Sequence, residues 1–383
     1  MKTKHAFLIS SAALFAAGTA LAQEQANAAQ LAQAEKKPAA QTITLTIPDI
    51  PKIDLKVSAF TQVQYVTSHS SGSNESSKSG FAIRRANIGV SAKIDENWSA
   101  RVSYEFDSKD SGGSVGSGYI DKALIEYKND FGTLQVGCRK VDFMLEEYSS
   151  ALSLPCMESS IATSYIVGDK GPVGLAGRHL GVYWSGKVED FTYGTSFTNA
   201  VANDYDKRSN NYAFSANAGY TLKMQGDAKL LLALNSIFNH GDEGGIGAKT
   251  NRGFTYGFEP YAKFTSGAFT AILDCFYVDA ESKADLGRTL GANATVAYRL
   301  ENDFEPVARL SYVNTHNDDL NASAVKNVSA SGDHSNAHSY YLGVNYYPNK
   351  YVKVSAGGEY MHLYGNGGKD DSASFRVQLQ VAF

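Results

Sequence analysis

The sequence predicts an all-β fold, a transmembrane antiparallel up-and-down β-barrel of about 16 strands with one long connection folded inward as a constriction loop. Three observations predict it. Apolar and polar residues alternate with a period of two along most of the chain, long and short connections alternate between those stretches, and the N-terminus reads as an export signal.

The export signal comes first in the chain. Lys2 and Lys4 supply a charged start, Ala6 to Ala17 a short apolar run, and Ala20-Leu21-Ala22 a small-residue cleavage site, so residues 1–22 read as a signal peptide. The apolar run is shorter than the ~20 residues a membrane-spanning helix requires. Residues 23–52 are rich in Ala and Gln and end in Ile47-Pro48-Asp49-Ile50-Pro51. They read as a periplasmic extension, either briefly helical over Ala26 to Lys36 or a disordered tether. Residues 53–383 are left for the barrel, and the expected destination is the outer membrane of a Gram-negative cell.

The last segment shows the alternation best: Phe375, Val377, Leu379, Val381 and Phe383 are interleaved with Arg376, Gln378, Gln380 and Ala382. One face is suited to lipid and the other to water. Sixteen such segments are expected, at 56–68, 81–94, 98–108, 119–128, 133–142, 177–187, 191–199, 211–223, 227–239, 254–264, 268–279, 286–300, 304–314, 338–347, 351–363 and 374–383. Two are ambiguous in phase, because Leu230 to Leu234 and Ala268 to Val278 are apolar on both faces. Short links such as Asp95-Glu96-Asn97 and Val188-Glu189-Asp190 alternate with long ones such as His69–Gly80, Phe143–Ala176 and Thr315–Ala337. Short turns at one end and long loops at the other are the pattern of a barrel threaded through a membrane, with both termini on the periplasmic side.

Composition agrees with that reading and excludes others. Tyr 23, Phe 19 and Gly 35 suit strands, interfacial girdles and tight turns. A formal charge of -4 without a basic run excludes an ordinary nucleic-acid binder. Three widely spaced cysteines, Cys138, Cys156 and Cys275, make neither a disulfide framework nor a zinc site. One Cys138–Cys156 bridge and three free thiols are both compatible with the spacing.

Strand phase assigns the charges. The inward basic positions are Arg85, Lys93, Arg101, Lys122, Arg139, Lys187, Lys223, Lys263, Arg299, Arg309, Lys353 and Arg376, and the inward acids are Glu105, Asp107, Glu126, Glu259 and Glu359. A charge on the lipid face near mid-membrane would cost ~2–4 kcal/mol, so these belong to the lumen. Of these, Arg85, Lys93, Arg101, Lys122, Arg139, Arg309 and Arg376 are expected to form a basic pore lining. The long link Phe143–Ala176 carries Glu146, Glu147, Glu158 and Asp169. Folded inward, it would set the carboxylates of Glu146, Glu147 and Glu158 opposite the wall arginines, and such a transverse field favours polar solutes. The alternative is that Glu146 and Glu147 only bond loop backbone or cap a helical turn.

Several segments resemble the phosphate- and polyphosphate-selective porin O/P family. They are Phe81-Ala-Ile-Arg-Arg-Ala-Asn-Ile-Gly-Val90, Val136-Gly-Cys-Arg-Lys-Val-Asp-Phe-Met-Leu-Glu-Glu-Tyr-Ser-Ser150, Met157-Glu158, Gly177-Arg-His-Leu-Gly-Val182, Phe304-Glu-Pro-Val-Ala-Arg-Leu-Ser-Tyr312 and Leu342-Gly-Val-Asn-Tyr-Tyr-Pro-Asn349. The resemblance implies a sixteen-stranded homotrimer with a loop in the lumen. Of the arginine ladder that lines phosphate-selective members, only Arg84-Arg85 can be matched here. The terminal Phe383 is similar to the aromatic end that the barrel-assembly machinery reads.

Catalytic signals are thin. Gly112-Gly113-Ser114-Val115-Gly116 matches G-x-S-x-G but sits in a Ser/Gly loop, not in a strand-to-helix elbow. His334 and His338 near Asp333 read as solvated loop histidines before they read as metal ligands. The expected function is passive diffusion of small hydrophilic solutes and ions, including anions such as phosphate, with no enzyme activity and no cofactor. The expected partners are outer-membrane lipid and those solutes. The rival readings are a structural or adhesive barrel with a plugged lumen and an outer-membrane hydrolase.

Overall fold

The computed structural model describes residues 41–45, 53–71, 76–106, 118–167, 175–199, 212–241, 253–280, 288–315, 334–365 and 368–383. The signal peptide, the 26–36 segment, Asp107, the Gly112–Gly116 motif, Asp169 and Asp333 lie outside them. The strands are β1 (Gln41–Leu45), β2 (Ile53–Ser71), β3 (Ser76–Lys93), β4 (Trp98–Phe106), β5 (Gly118–Asn129), β6 (Gly132–Lys140), β7 (Arg178–Val188), β8 (Phe191–Asn199) and β9 (Tyr212–Lys223). They continue as β10 (Lys229–Gly241), β11 (Gly253–Ser266), β12 (Phe269–Ala280), β13 (Thr289–Tyr298), β14 (Phe304–Thr315), β15 (Asn336–Asn349), β16 (Val352–Gly365) and β17 (Gly368–Ala382). Two short helices, α1 (Leu145–Tyr148) and α2 (Ile161–Val167), lie between β6 and β7.

β2 to β17 form a closed antiparallel barrel of 16 strands, each paired with its chain neighbours. Closure brings β17 against β2 from Ala382↔Phe60 to Asp371↔Ser71. Without an edge, each barrel strand has a neighbour to pair with on both sides, which a lipid environment demands. Along this seam two buried amide pairs face the lumen: Gln62 Nε2 donates to Gln380 Oε1 at 2.8 Å and Gln64 Nε2 to Gln378 Oε1 at 2.8 Å. Below the seam, Phe383 exchanges backbone hydrogen bonds with Ala59, and β1 then pairs with β2 from Gln41↔Val57 to Leu45↔Ile53. The strand β1 falls in what reads from sequence as an extension.

The period-two pattern becomes two surfaces. On β17, Phe375, Val377, Leu379 and Val381 are exposed outward while Arg376, Gln378 and Gln380 are buried inside. Aromatic pairs sit near the strand ends, where membrane meets water: Trp98 with Tyr127 and Phe304 with Tyr346 at one end, Tyr312 with His338 at the other. Several periplasmic turns are tight enough to push Glu189, Asp303 and Gly267 to positive φ.

Two departures from the expected segments are instructive. The link expected at His69–Gly80 is mostly strand, because β2 runs to Ser71 and β3 starts at Ser76. Serine and glycine read as loop, yet backbone hydrogen bonds pair them in a hairpin. With 19 residues, β2 is longer than the ~9–11 that cross a bilayer. The second departure is a pair of β-bulges. Gln62↔Arg85 is followed by Val63↔Ile83, and Ser103↔Lys122 by Tyr104↔Ile120, so Arg84 and Asp121 are the extra residues.

The link between β6 and β7 turns into the barrel. Ile161, Ala162, Tyr165 and Ile166 of α2, with Phe143, Met144 and Leu175, form one buried apolar cluster with inward wall residues of β10 to β16, including Ile237, Phe276, Val278, Val313, Met361 and Leu363. The loop therefore fills one side of the lumen by ordinary hydrophobic burial.

Candidate functional site: the lumen and its inner loop

The bulge in β3 gives the lumen a side chain that strict alternation would turn to lipid. Arg85 faces inward and donates to Gln62 at 3.0 Å, and Arg84 also reaches in and holds Glu158 through two hydrogen bonds, Nε to Oε1 at 2.6 Å and Nη2 to Oε2 at 2.7 Å. Burial pushes the Glu158 carboxyl up, but the Arg84 guanidinium outweighs it and holds the group well below the usual carboxylate range. The bulge in β5 does the same for Asp121, which pairs with Arg178 at 2.6 Å, while Arg178 also lies over the Tyr119 ring.

Wall charges tether the rest of the loop. Arg309 binds Glu146 at 3.0 Å and Glu359 at 3.1 Å, and donates to the Glu158 carbonyl at 2.7 Å. Glu146 in turn accepts the Ser160 N–H at 2.7 Å, and Glu147 pairs with Lys140 at 2.9 Å. Lys353 donates to the Leu154 carbonyl and Asn345 to that of Pro155. At the start of α1, the Glu259 carboxylate accepts the backbone N–H groups of Met144 and Leu145, doing from across the lumen what a capping residue does locally. Gly257 leaves the space that the Phe143 ring occupies, since a Cβ there would lie 2.5 Å from the ring.

These contacts correct part of the expected pore lining. Arg309 and Arg376 point inward but are 1 % and 2 % exposed, covered by the loop and committed to Glu359. Arg309 holds the loop, Arg376 braces the Glu359 carboxylate that Arg309 also binds, and neither lines open space. Lys93 is exposed at the periplasmic end of β3. None of Cys138, Cys156 and Cys275 is in a disulfide, so the Cys138–Cys156 bridge is not formed. His334 is not a solvated loop residue: it is buried 2.9 Å from Asp370, and His338 meets Tyr364 at 2.9 Å. Among the described residues no cluster of three or more potential ligands for a metal occurs.

Open space remains on the other side of the barrel, between the loop and β4 to β8. This cavity of about 760 Å³ is lined by Arg101, Lys122, Arg139, Glu126, Tyr148 and Tyr261, among others. Its position follows from strand direction: Arg101 lies near the start of β4 and Glu126 near the end of β5, so the cavity is the periplasmic vestibule below the loop. Arg139 is engaged by Asp142 at 2.7 Å and lies over Tyr183. By contrast, Arg85, Arg101 and Lys122 have no carboxylate at ion-pair distance among the described residues. Strand phase misses Arg84, Asp121 and Arg178, and Arg84 is singled out in the sequence only by the family resemblance. A signal for the first two exists, because outward apolar residues fall at odd positions at Phe81 and Ile83 but at even ones at Ile88 and Val90, and on β5 at even Ile120 but odd Ile125.

A closed sixteen-stranded barrel with an apolar outer surface, a charged lumen and a loop packed inside it defines an outer-membrane channel protein. The chain belongs to the Gram-negative porin family, whose model matches residues 10–367. The sequence matches none of the curated proteins compared with it. Among solved structures it is similar to the outer membrane channel DcaP of Acinetobacter baumannii, with 11 % identity, 88 % of this chain and 99 % of that one covered, and a TM-score of 0.63. It is also similar to the anion-selective porin from Comamonas acidovorans, with 12 % identity, 86 % and 100 % covered, and a TM-score of 0.59. The trimer form of in-vitro folded OmpT from Vibrio cholerae is a third, with 13 % identity, 86 % and 99 % covered, and a TM-score of 0.53. At these identities the likeness concerns the fold.

Proposed function

We propose that this porin is a passive channel for small hydrophilic solutes that favours anions. One observation carries the reading: the lumen's basic residues are divided between two tasks. On the loop-covered side, Arg309 and Arg376 are spent on Glu146 and Glu359. Along β3 to β5, Arg85, Arg101 and Lys122 face in without a partner carboxylate among the described residues, so their field acts on whatever passes. The sequence likeness to phosphate-selective porins supports anions in general more than phosphate in particular. Of the Arg84-Arg85 pair that carries it, Arg84 is already bound to Glu158.

In this reading the protein is exported through a signal peptide of residues 1–22, assembled through its C-terminal Phe383, and trimeric, as one of its structural neighbours is. It needs no catalysis and no cofactor. The test is single-channel current in a planar bilayer, with reversal potentials across a KCl gradient. Stepwise ohmic current with a chloride preference supports the proposal. Cation preference overturns the anion part, and absence of current from a folded barrel favours the plugged structural alternative.

A further inference from the structure

The vestibule is more than a charged funnel, because its two sides offer different chemistry. Lys122 and Arg101 stand on the β4–β5 side. Lys122 lies opposite Ser103 on β4 and Arg101 opposite Leu124 on β5, which sets the two cations on one inward face, two residues apart along neighbouring strands. Arg139 adds a guanidinium whose two terminal nitrogens are taken by Asp142 while its buried Nε has no partner among the described residues. Across the cavity stand uncharged hydrogen-bonding groups, the phenols of Tyr148 and Tyr261, which meet at 3.3 Å, and the amides of Asn217 and Asn235, together with the Asp142 carboxylate, which Arg139 already engages. The two amides are held in place, Asn217 by Asp142 at 3.2 Å and Asn235 by Glu259 at 2.8 Å, so they are preorganised at the cavity wall.

A simple inorganic anion uses only the cationic side. The neutral side has donors and acceptors that a hydroxylated body would satisfy, and the volume of about 760 Å³ is in the range of small-molecule sites. We infer that the vestibule transiently binds an oxyanion carried on a hydroxylated body, a compact sugar acid or sugar phosphate, with Lys122 and Arg101 meeting the anionic group and the Tyr148–Tyr261 side meeting the hydroxyls. The inference rests on the porin reading and names a solute class for it. Binding below the loop also gives the channel a sidedness that a ring of charge at the constriction would lack.

The experiment uses the full-length protein in a planar bilayer at low ionic strength, where wall charges are least screened. Open-channel KCl current is recorded first, then interruptions of that current on adding gluconate, glucose 6-phosphate, acetate or glucose to either side. The expected result is brief blocking by gluconate, glucose 6-phosphate or both, more frequent from the periplasmic side, with acetate and glucose far weaker. The two active arms distinguish a carboxylate from a phosphate ligand. Lys122→Gln should weaken the block about tenfold, as expected for one charge-assisted hydrogen bond. Tyr261→Phe should weaken it less and should not alter block by acetate. Heat-modifiable mobility on gels confirms that each variant is folded. Acetate blocking as well as gluconate, or glucose blocking as well as either, would overturn the proposal. So would block that is equal from both sides and unchanged in Lys122→Gln. A channel with no KCl current fails at the porin reading itself, whereas an open channel without block refutes the binding site alone.

Discussion

Arg84 and Glu158 are joined by two parallel hydrogen bonds, at 2.6 and 2.7 Å, across the space between the barrel wall and its inner loop. The arginine is available only because a β-bulge turns it inward beside Arg85. Fork-on-carboxylate geometry is the strongest form of a side-chain ion pair, and here it fixes the loop to β3.

Glu158→Gln should therefore loosen the loop without unfolding the barrel. The cost is on the order of 2 kcal/mol, at the low end for a buried pair because both side chains keep some exposure. Single-channel records should show greater conductance noise than the parent protein, with unchanged mobility of the folded barrel on gels. A record as quiet as the parent's would contradict the tether.

The same pair sets a pH expectation. The folded-state pKa of Glu158 lies below its ordinary value of 4.5. Its contribution to holding the loop is thus fully present above that value and is lost only as pH falls through the depressed pKa. Conductance noise should differ between the parent and Glu158→Gln from neutral pH down past 4.5, and the two should converge only in stronger acid. Convergence already at mildly acidic pH would show that another group controls the loop.

Arginines in the same lumen should have separable effects. Arg101→Gln should shift the reversal potential toward cations while leaving the loop quiet. Arg309→Gln removes a loop anchor, takes the ion-pair partner from Glu146 and leaves Glu359 to Arg376 alone, so it should chiefly raise noise and lower thermal stability. Equal shifts in selectivity from both substitutions would mean that Arg309 faces the passage after all.

Cys156 reports on loop position. Its thiol is buried near Arg309 and Tyr341, and burial pushes it up to about 12. Maleimide should label it slowly in the folded parent and appreciably faster in Arg309→Gln. Rapid labelling of the parent would place the loop elsewhere.

Much of the barrel is legible in the sequence because lipid on one side and water on the other impose a period of two. Each of the sixteen expected segments overlaps one barrel strand. Where the alternation misleads, the physical reasons are specific. At Arg84 and Asp121 one inserted residue shifts the phase, visible only as a parity change in the outward apolar positions. On β12, Phe276 and Val278 make the strand greasy on both faces because they join the buried apolar cluster that the inner loop completes, so the ambiguity of Ala268 to Val278 is itself a mark of the covered wall. The loop's pairings, such as Arg309 with Glu146, 163 residues apart, leave no local trace.

The seam of the barrel has a different chemistry from its loop. The strands made first and last in the barrel meet through Gln62 with Gln380, 318 residues apart, and Gln64 with Gln378. Carboxamides neither titrate nor gather counterions, so the join between the two ends of the chain is indifferent to acid and to salt. The loop hangs instead on carboxylates and guanidiniums, which respond to both. Conditions that release the inner strap leave the hoop around it closed.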